Sequence, residues 1–217
     1  MNCRGWDQVP VQVFFCAMRI IAGSLRRRTL EAPPGLATRP TSDRLRETLF
    51  NVLAPRIEDA RFMDLYAGSG AVGIEALSRG AKSATFVERA PAALKVLRGN
   101  LARLGLKADF HVHPGSVGAY LRRAPGDAAG FDVIFLDPPY DSEDEYRTTL
   151  GLLGGVDAGL LAEDAVVIAE HRRKEKLSEH YGLLARTRLL EQGDAALSFY
   201  IARIDAGIQA GSSVGVG

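Results

Sequence analysis

The sequence predicts an α/β fold, a mostly parallel sheet with helices on both faces. Three observations carry this. From Arg61 onward, apolar runs of four to seven residues alternate with amphipathic segments of seven to fourteen. Glycines stand where the helical segments must stop. The chain has 217 residues, 47% hydrophobic and 24% charged, and a chain of that length buries roughly 70% of its unfolded surface. The same composition excludes a disordered chain, collagen and a disulfide scaffold.

The front of the chain stands outside this rhythm. Residues 1–17 hold both cysteines, Cys3 and Cys16, too far apart for a metal knuckle and without histidine partners. The apolar run Val9 to Ala17 is short, interrupted by Pro10 and Gln12, and followed by no cleavage site. These residues read as a leader or an overlong start, and the protein as reduced, cytoplasmic and free of metal. No stretch reaches the ~20 apolar residues of a membrane span. Met18 to Leu30 reads as a small hairpin around Gly23-Ser24, and Pro33, Pro34 and Gly35 mark a loop. After Arg39-Pro40, Thr41 or Ser42 caps a helix with Asp43 in its first turn. Leu45, Leu49 and Leu53 form its core face, with Arg44 and Thr48 pointing elsewhere.

Strands follow at Arg61–Leu65, Ala84–Glu88, Phe110–His113, Phe131–Asp137 and Ala165–Glu170, and helices at Ala71–Arg79, Pro91–Leu104, Ser116–Arg122 and Glu143–Leu153. Gly80 and Gly105 suit left-handed helix ends, and Pro91 a first helical turn. Thr187–Leu190 and Ala196–Ile204 flank Gly193-Asp194 as a closing hairpin, and the Gly/Ser-rich residues 206–217 read as a disordered tail. The expected organisation is a leader (1–17), a basic hairpin and helix (18–58), an α/β domain (59–205) and the tail.

The net charge of +1 conceals a local asymmetry. Between Met18 and Arg46 stand seven arginines against two acids, Glu31 and Asp43. Arg26, Arg27, Arg28, Arg39 and Arg44 are candidate nucleic-acid contacts, since guanidinium groups suit phosphates. Arg172, Arg173, Lys174 and Lys176, interspersed with Glu170 and Glu175, read as an ordinary exposed charge run. His111, His113, His171 and His180 lack ligand spacing.

Two motifs carry chemistry. In the run from Asp64 to Gly73, Gly68 and Gly70 permit positive φ and a close backbone approach, Gly73 lets a helix pack on the strand, and the helix start offers free amides. Glu88 ends the next strand, twenty residues after Gly68, where an acid accepts hydrogen bonds from ribose hydroxyls. Asp64 argues against a dinucleotide, whose pyrophosphate it would repel. An acid there suits a ligand with a cationic amino-acid end, as in S-adenosylmethionine. The second motif is Asp137-Pro138-Pro139-Tyr140, directly after an apolar strand. The prolines hold the chain extended and remove amide donors, leaving the Asp137 carboxylate and Pro138 carbonyl as adjacent acceptors. Two such acceptors match an exocyclic amine, and Tyr140 offers a face on which a base can stack.

With these motifs stand Arg19-Ile20-Ile21-Ala22-Gly23, the block from Arg39 to Asn51, and Glu75-Ala76-Leu77-Ser78-Arg79-Gly80. Together they resemble the RsmD family, which methylates the exocyclic amine of a guanine in bacterial small-subunit ribosomal RNA. The likeness covers about Met18 to Ile204. It implies a Rossmann-like class I methyltransferase with a seven-stranded sheet whose last strand is antiparallel, acting on ribosomal RNA, either naked or within an assembling small subunit; a monomer is expected. Residue by residue, it implies cofactor contacts at Asp64, Tyr66, Gly68, Gly70 and Glu88, and a place for the flipped guanine at Asp137, Pro138 and Tyr140. Where the family carries Asp or Asn against the adenine amine, this sequence has Ser116, whose hydroxyl can also accept. A DNA amino-methyltransferase would use the same acceptor pair but needs a recognition insertion for which the chain lacks room. Asp137 together with Glu88 argues against an inactive RNA-binding assembly module, and Asp64 argues against a dehydrogenase.

Overall fold

The computed structural model describes residues 18–33, 43–123, 130–139, 143–155 and 159–202. Its elements run β1 (Met18–Arg19), β2 (Thr29–Leu30), α1 (Asp43–Ile57), β3 (Arg61–Leu65), α2 (Ala71–Ser78), β4 (Ser83–Glu88), α3 (Pro91–Arg103), β5 (Phe110–Pro114), α4 (Val117–Arg123), β6 (Phe131–Leu136), α5 (Glu143–Leu153), β7 (Leu161–Arg172), β8 (His180–Tyr181), β9 (Leu184–Gln192) and β10 (Ala195–Ala202). The main sheet has the order β5-β4-β3-β6-β7-β10-β9-β8, and β1 and β2 pair separately. β3 to β7 pair in parallel. β10 runs antiparallel to both β7 and β9.

Parallel neighbours cannot be joined by a tight turn, so a helix covers each crossover and both sheet faces become interior. One face packs α1 and α2 on Phe62, Val133, Phe135, Ile168 and Leu197, and continues into α3 and the hairpin around Phe86. The other packs α4 and α5 on Met63, Leu65, Ile134, Leu136 and Val167. Leu45, Leu49 and Leu53 of α1 are buried as the pattern predicts, and Arg44 is exposed. Gly80 and Gly105 take positive φ just past α2 and α3. Gly193, also with positive φ, turns β9 into β10. Among the described residues no helix is long and apolar enough to cross a membrane.

Three details differ from the sequence-based expectation. The seven expected strands are joined by an eighth, β8, which pairs only His180 and Tyr181 with Ala185 and Leu184. Gly182, with positive φ, turns the chain against the end of α5, where Leu183 N donates to Gly154 O at 2.8 Å, and no alternation in the sequence marks so short an edge. The hairpin strands are two residues each, with a wider loop in which Arg26 N donates to Gly23 O and Arg28 N to Leu25 O. Arg46, which stands one residue beyond the Leu45 stripe, is fully buried. Residues 1–17, the Pro34-Gly35 loop, Arg39, the caps Thr41 and Ser42, Tyr140 and the tail lie outside the described residues.

Arg46 belongs to a buried polar joint that seats the hairpin. The Glu75 carboxylate of α2 accepts Ile21 N at 2.8 Å, Ala22 N at 3.0 Å and Arg79 Nε at 2.7 Å, with Arg46 Nε at 3.8 Å. Arg46 Nη2 donates to Arg19 O and to Asp43 Oδ1. Ser78, at the end of α2, donates to Ala22 O and accepts Leu25 N, and its carbonyl accepts Ser24 N. The backbone approach here is so close that a Cβ on Gly23, whose φ is +82°, would lie 1.7 Å from Ser78 O. Overpacking of that kind costs roughly 1–3 kcal/mol. Gly23→Ala is therefore expected to lower the unfolding free energy from denaturant titration by about that amount, whereas Gly99→Ala, with nothing within 4 Å of its added Cβ, should leave it unchanged or raise it.

Candidate active site

The carboxyl ends of β4, β3, β6 and β7 lie side by side, and their register brings acids together. Asp64 pairs in level with Phe86 of β4 and Phe135 of β6. Glu88 and Asp137 each stand two residues beyond those phenylalanines, hence on the same sheet face one step further along. Leu136 is level with Ala169, so Asp137 is level with Glu170 of β7, on that face as well. Four acids thus line one face at one end of four adjacent strands. β3, flanked by β4 and β6, is where the crossover direction reverses, the place where open α/β sheets bind ligands.

The glycine turn rises from β3. Gly68 and Gly70 adopt φ of +56° and +80°. At Gly70 an added Cβ would strike Leu97 Cδ1 at 2.3 Å, and at Gly73 the Phe86 ring at 2.3 Å, so these two glycines admit helix packing. At Gly68 it would meet nothing nearer than Tyr66 O at 4.0 Å, which leaves open space over the turn. Glu88 accepts Gly68 N at 2.8 Å through Oε2 and Ala90 N at 2.7 Å through Oε1, and each oxygen keeps a second lone pair. Asp64, 2% exposed, accepts Gly73 N at 2.9 Å. Burial pushes the Asp64 carboxyl up to about 8, against the Gly73 hydrogen bond and with the charge of Glu88 adding to the rise. Burial, then Glu170, Asp64 and Glu175, raise Asp137 well above the carboxylate range.

Buried acids with raised pKa values favour positive charge nearby. An open cradle at Gly68, a Glu88 carboxylate with a lone pair left on each oxygen and a buried acid at Asp64 fit S-adenosylmethionine, whose sulfonium and ammonium are cationic and whose ribose hydroxyls are donors. They do not fit a pyrophosphate.

The other expected site residues are distributed as follows. Tyr66 holds φ of +65°, a costly conformation for a side chain of that size. Its hydroxyl donates to Glu145 Oε2 at 2.8 Å and lies 2.7 Å from Thr149 Oγ1, tying the loop after β3 to α5. Ser116 is exposed, and its Oγ accepts Ala119 N at 3.3 Å as the cap of α4. The adjoining Gly115 N donates to the Glu88 carbonyl, which brings this turn beside Glu88. Pro138 is buried directly after Asp137, and Pro139 is exposed. Arg26 and Arg27 are exposed at the hairpin tip, and Arg28 donates to Arg103 O at 2.8 Å. The tip seats on Ser78, one length of α2 from the glycine turn, about 12 Å at 1.5 Å per residue. The hairpin tip and the glycine turn therefore stand at opposite ends of α2.

Glu170 opens the stretch whose composition predicts an exposed charge run, and here the structure differs. It is buried, and its register, two residues beyond Ile168, which is level with Phe135, places it on the Asp137 face. A cavity of about 240 Å³ lined by Arg56, Glu58, Asp59, Ala60, Asp132 and Asp164 lies at the opposite ends of the strands, and Arg61 already pairs with Asp132 there at 3.2 Å.

The family model described as conserved hypothetical protein 95 matches residues 18–201. YlbH of Bacillus subtilis, provisionally named as an rRNA methyltransferase, is 39% identical over 183 residues, 84% of this chain and 98% of that protein. Ribosomal RNA small subunit methyltransferase D of Escherichia coli K12 is 40% identical over 153 residues, 70% of this chain and 74% of that protein. The solved structure of yhhF from Escherichia coli, provisionally named a methyltransferase, superposes with a TM-score of 0.74 at 37% identity, covering 86% of this chain and 98% of that one. More distant methyltransferase structures crystallised with S-adenosyl-L-homocysteine, at 15% and 16% identity, share the fold.

The raised pKa of Asp64 has a consequence for stability. The folded protein binds this proton more tightly than the unfolded chain, so the contribution is full below the ordinary value near 3.8 and is lost as pH rises through about 8. Asp64→Asn, whose amide oxygen can still accept Gly73 N, is expected to show a smaller fall in Tm between pH 6 and pH 9 than the wild type. Parallel curves for the two proteins would contradict this.

Proposed function

The chain belongs to the conserved hypothetical protein 95 family, the RsmD family its motifs resemble, and from that premise we propose that it transfers a methyl group from S-adenosylmethionine to the exocyclic amine of a guanine in small-subunit ribosomal RNA. The observation that carries this reading is the placing of Asp64, Glu88 and Asp137 on one face at the ends of adjoining strands, with the Pro138 carbonyl beside Asp137 and the open glycine turn between.

When bound, S-adenosylmethionine supplies an electrophilic methyl group on sulfur. Asp64 faces its cationic amino-acid end, Glu88 accepts from the ribose, and the Gly68 backbone permits the approach. Burial, then Glu170, Asp64 and Glu175, disfavour the charge of Asp137. Positive charge placed next to it favours ionisation, and the carboxylate becomes an acceptor for one N–H of the incoming amine. The Pro138 carbonyl accepts the other. The amine lone pair, otherwise delocalised into the ring, is thereby localised and aimed. A hydrogen bond to a charged group is worth about 1.5–3 kcal/mol. Alignment contributes more, up to roughly 7–11 kcal/mol. Asp137 need not act as a full general base, since a methylated ammonium sheds its proton readily. Tyr140 stacks on the base, and Ser116 accepts from the adenine amine while capping α4.

Arg26, Arg27 and Arg28, with Arg39 and Arg44, hold the RNA backbone. The separation of the hairpin tip, which carries Arg26 and Arg27, from the acids suits phosphate contacts, which position an RNA without reading its bases.

Two measurements test the reading. Labelled methyl should pass from S-adenosylmethionine to one guanine of 16S rRNA in small subunits from cells lacking the mark, and transfer to a ring carbon or to DNA alone would reject it. Asp137→Ala should lower kcat by about 10²-fold or more while the Kd for S-adenosyl-L-homocysteine stays within about twofold. Separately, Arg26→Ala with Arg27→Ala should flatten the slope of log KM for RNA against log salt by about 1 to 2, since each phosphate contact contributes roughly 0.7 to 0.9.

A further inference from the structure

Asn100 of α3 is fully buried, and its amide is saturated. Nδ2 donates to Ser69 O at 3.0 Å and to Glu31 O at 3.0 Å, while Oδ1 accepts Glu31 N at 2.9 Å and, at 3.5 Å, Arg103 Nη1. With two carbonyls on one side and an N–H on the other, only one orientation of the amide is possible. Ser69 is the middle residue of the glycine turn. Glu31 directly follows β2 and is the exit of the arginine-bearing hairpin, so Asn100 pairs with its backbone as a neighbouring strand would. One helical turn earlier, Leu97 Cδ1 occupies the place of a Gly70 side chain, so α3 supports the turn at two successive points. A second, charged tie between Glu31 and Arg103 at 2.9 Å lies at the surface.

We propose that Asn100 is a positioning residue that locks the glycine turn to the exit of the hairpin, so that filling the cofactor site and holding RNA on the hairpin reinforce each other. The coupling rests on the methyltransferase reading above; the lock itself is a matter of three hydrogen bonds. A side chain that donates to Ser69 O and also pairs both backbone groups of Glu31 cannot shift at one end without disturbing the other. A ligand that narrows the positions open to the turn therefore narrows those of Glu31, and RNA that steadies the hairpin prepares the turn.

The test uses S-adenosyl-L-homocysteine as probe. In the wild-type chain, saturating probe should slow hydrogen exchange at the Glu31 amide at least tenfold, and saturating probe should lose that effect in Asn100→Ala, which separates the joint from the general stabilisation that any bound ligand gives. Asn100→Ala should weaken probe binding about tenfold or more and abolish the difference in probe Kd measured with and without unmodified 16S rRNA. Glu31→Ala, which removes only the exposed ion pair, should keep both. In turnover, the loss in Asn100→Ala should fall on KM for cofactor and RNA more than on kcat. Probe binding that leaves Glu31 exchange unchanged overturns the lock, whether or not Asn100→Ala folds. A wild-type chain that binds no probe at all would instead reject the methyltransferase reading, and the lock with it.

Discussion

Parallel pairing of β3, β4, β6 and β7 is the constraint on which the rest of this molecule depends. Strands that all point the same way bring all their carboxyl ends to one edge, and helices that must return across both faces remove water from everything but that edge. Side chains at matching register positions then stack laterally at strand spacing, about 4.8 Å. Asp137 and Glu170 meet in this way, with Asp64 one step back on β3 and Glu88 on the same face of β4, two strands from Asp137. Removal from water disfavours the charge of Asp64 and Asp137 and raises both carboxyls, and the neighbouring acids, Glu88 for Asp64 and Glu170 first for Asp137, add to the rise. The fold thus builds a region short of positive charge at the place where its strands end. S-adenosylmethionine is cationic and meets that need, and on the proposed reading the N–H donors of the incoming amine meet it too.

A second buried charge cluster serves placement. Glu75 gathers two hairpin amides, Arg79 and Arg46, and Arg46 in turn holds Arg19 O and Asp43. Among the described residues two Arg46 nitrogens, Nε and Nη1, have no hydrogen-bond partner, and burial works against its charge while Asp43 and Glu75 support it. Such a joint contributes little net stability compared with apolar packing, but it is strict about geometry. It sets the hairpin in one register on α2, the helix that begins at the glycine turn. Ser78 and Asn100 repeat the connection at the hairpin's tip and exit. The arginine-bearing segment, outside the βα rhythm in sequence, shares its core with α2 and α3 through Met18, Ile20 and Leu30.

Much of this is legible in the sequence because it depends on local physics. Alternating apolar runs predict β3 to β7, and Gly80, Gly105 and Gly193 mark element ends because only a residue without Cβ takes those backbone angles cheaply. Gly73 is legible as a packing glycine, and the structure supplies the partner, the Phe86 ring. Arg46 and Glu170 are not legible. Each is a charged residue in a segment with other charges, and composition alone places it in water. Arg46 is buried because Glu75, 29 residues away, awaits it, and Glu170 because its strand runs two residues past the point where neighbouring charges suggest a surface loop.

The sequence by itself determined the fold class, the helix and strand periods, the turn glycines and the residue types able to hold a cationic nucleotide and an amine, since these follow from backbone sterics and side-chain chemistry within a few residues. Tertiary structure alone decided which acids share a face, that Asn100 joins the glycine turn to the hairpin, and that the hairpin tip seats one helix length from the glycine turn. Those facts rest on register and on contacts between residues up to 75 positions apart. No local pattern encodes them, because they arise only when separate elements exclude water from one another.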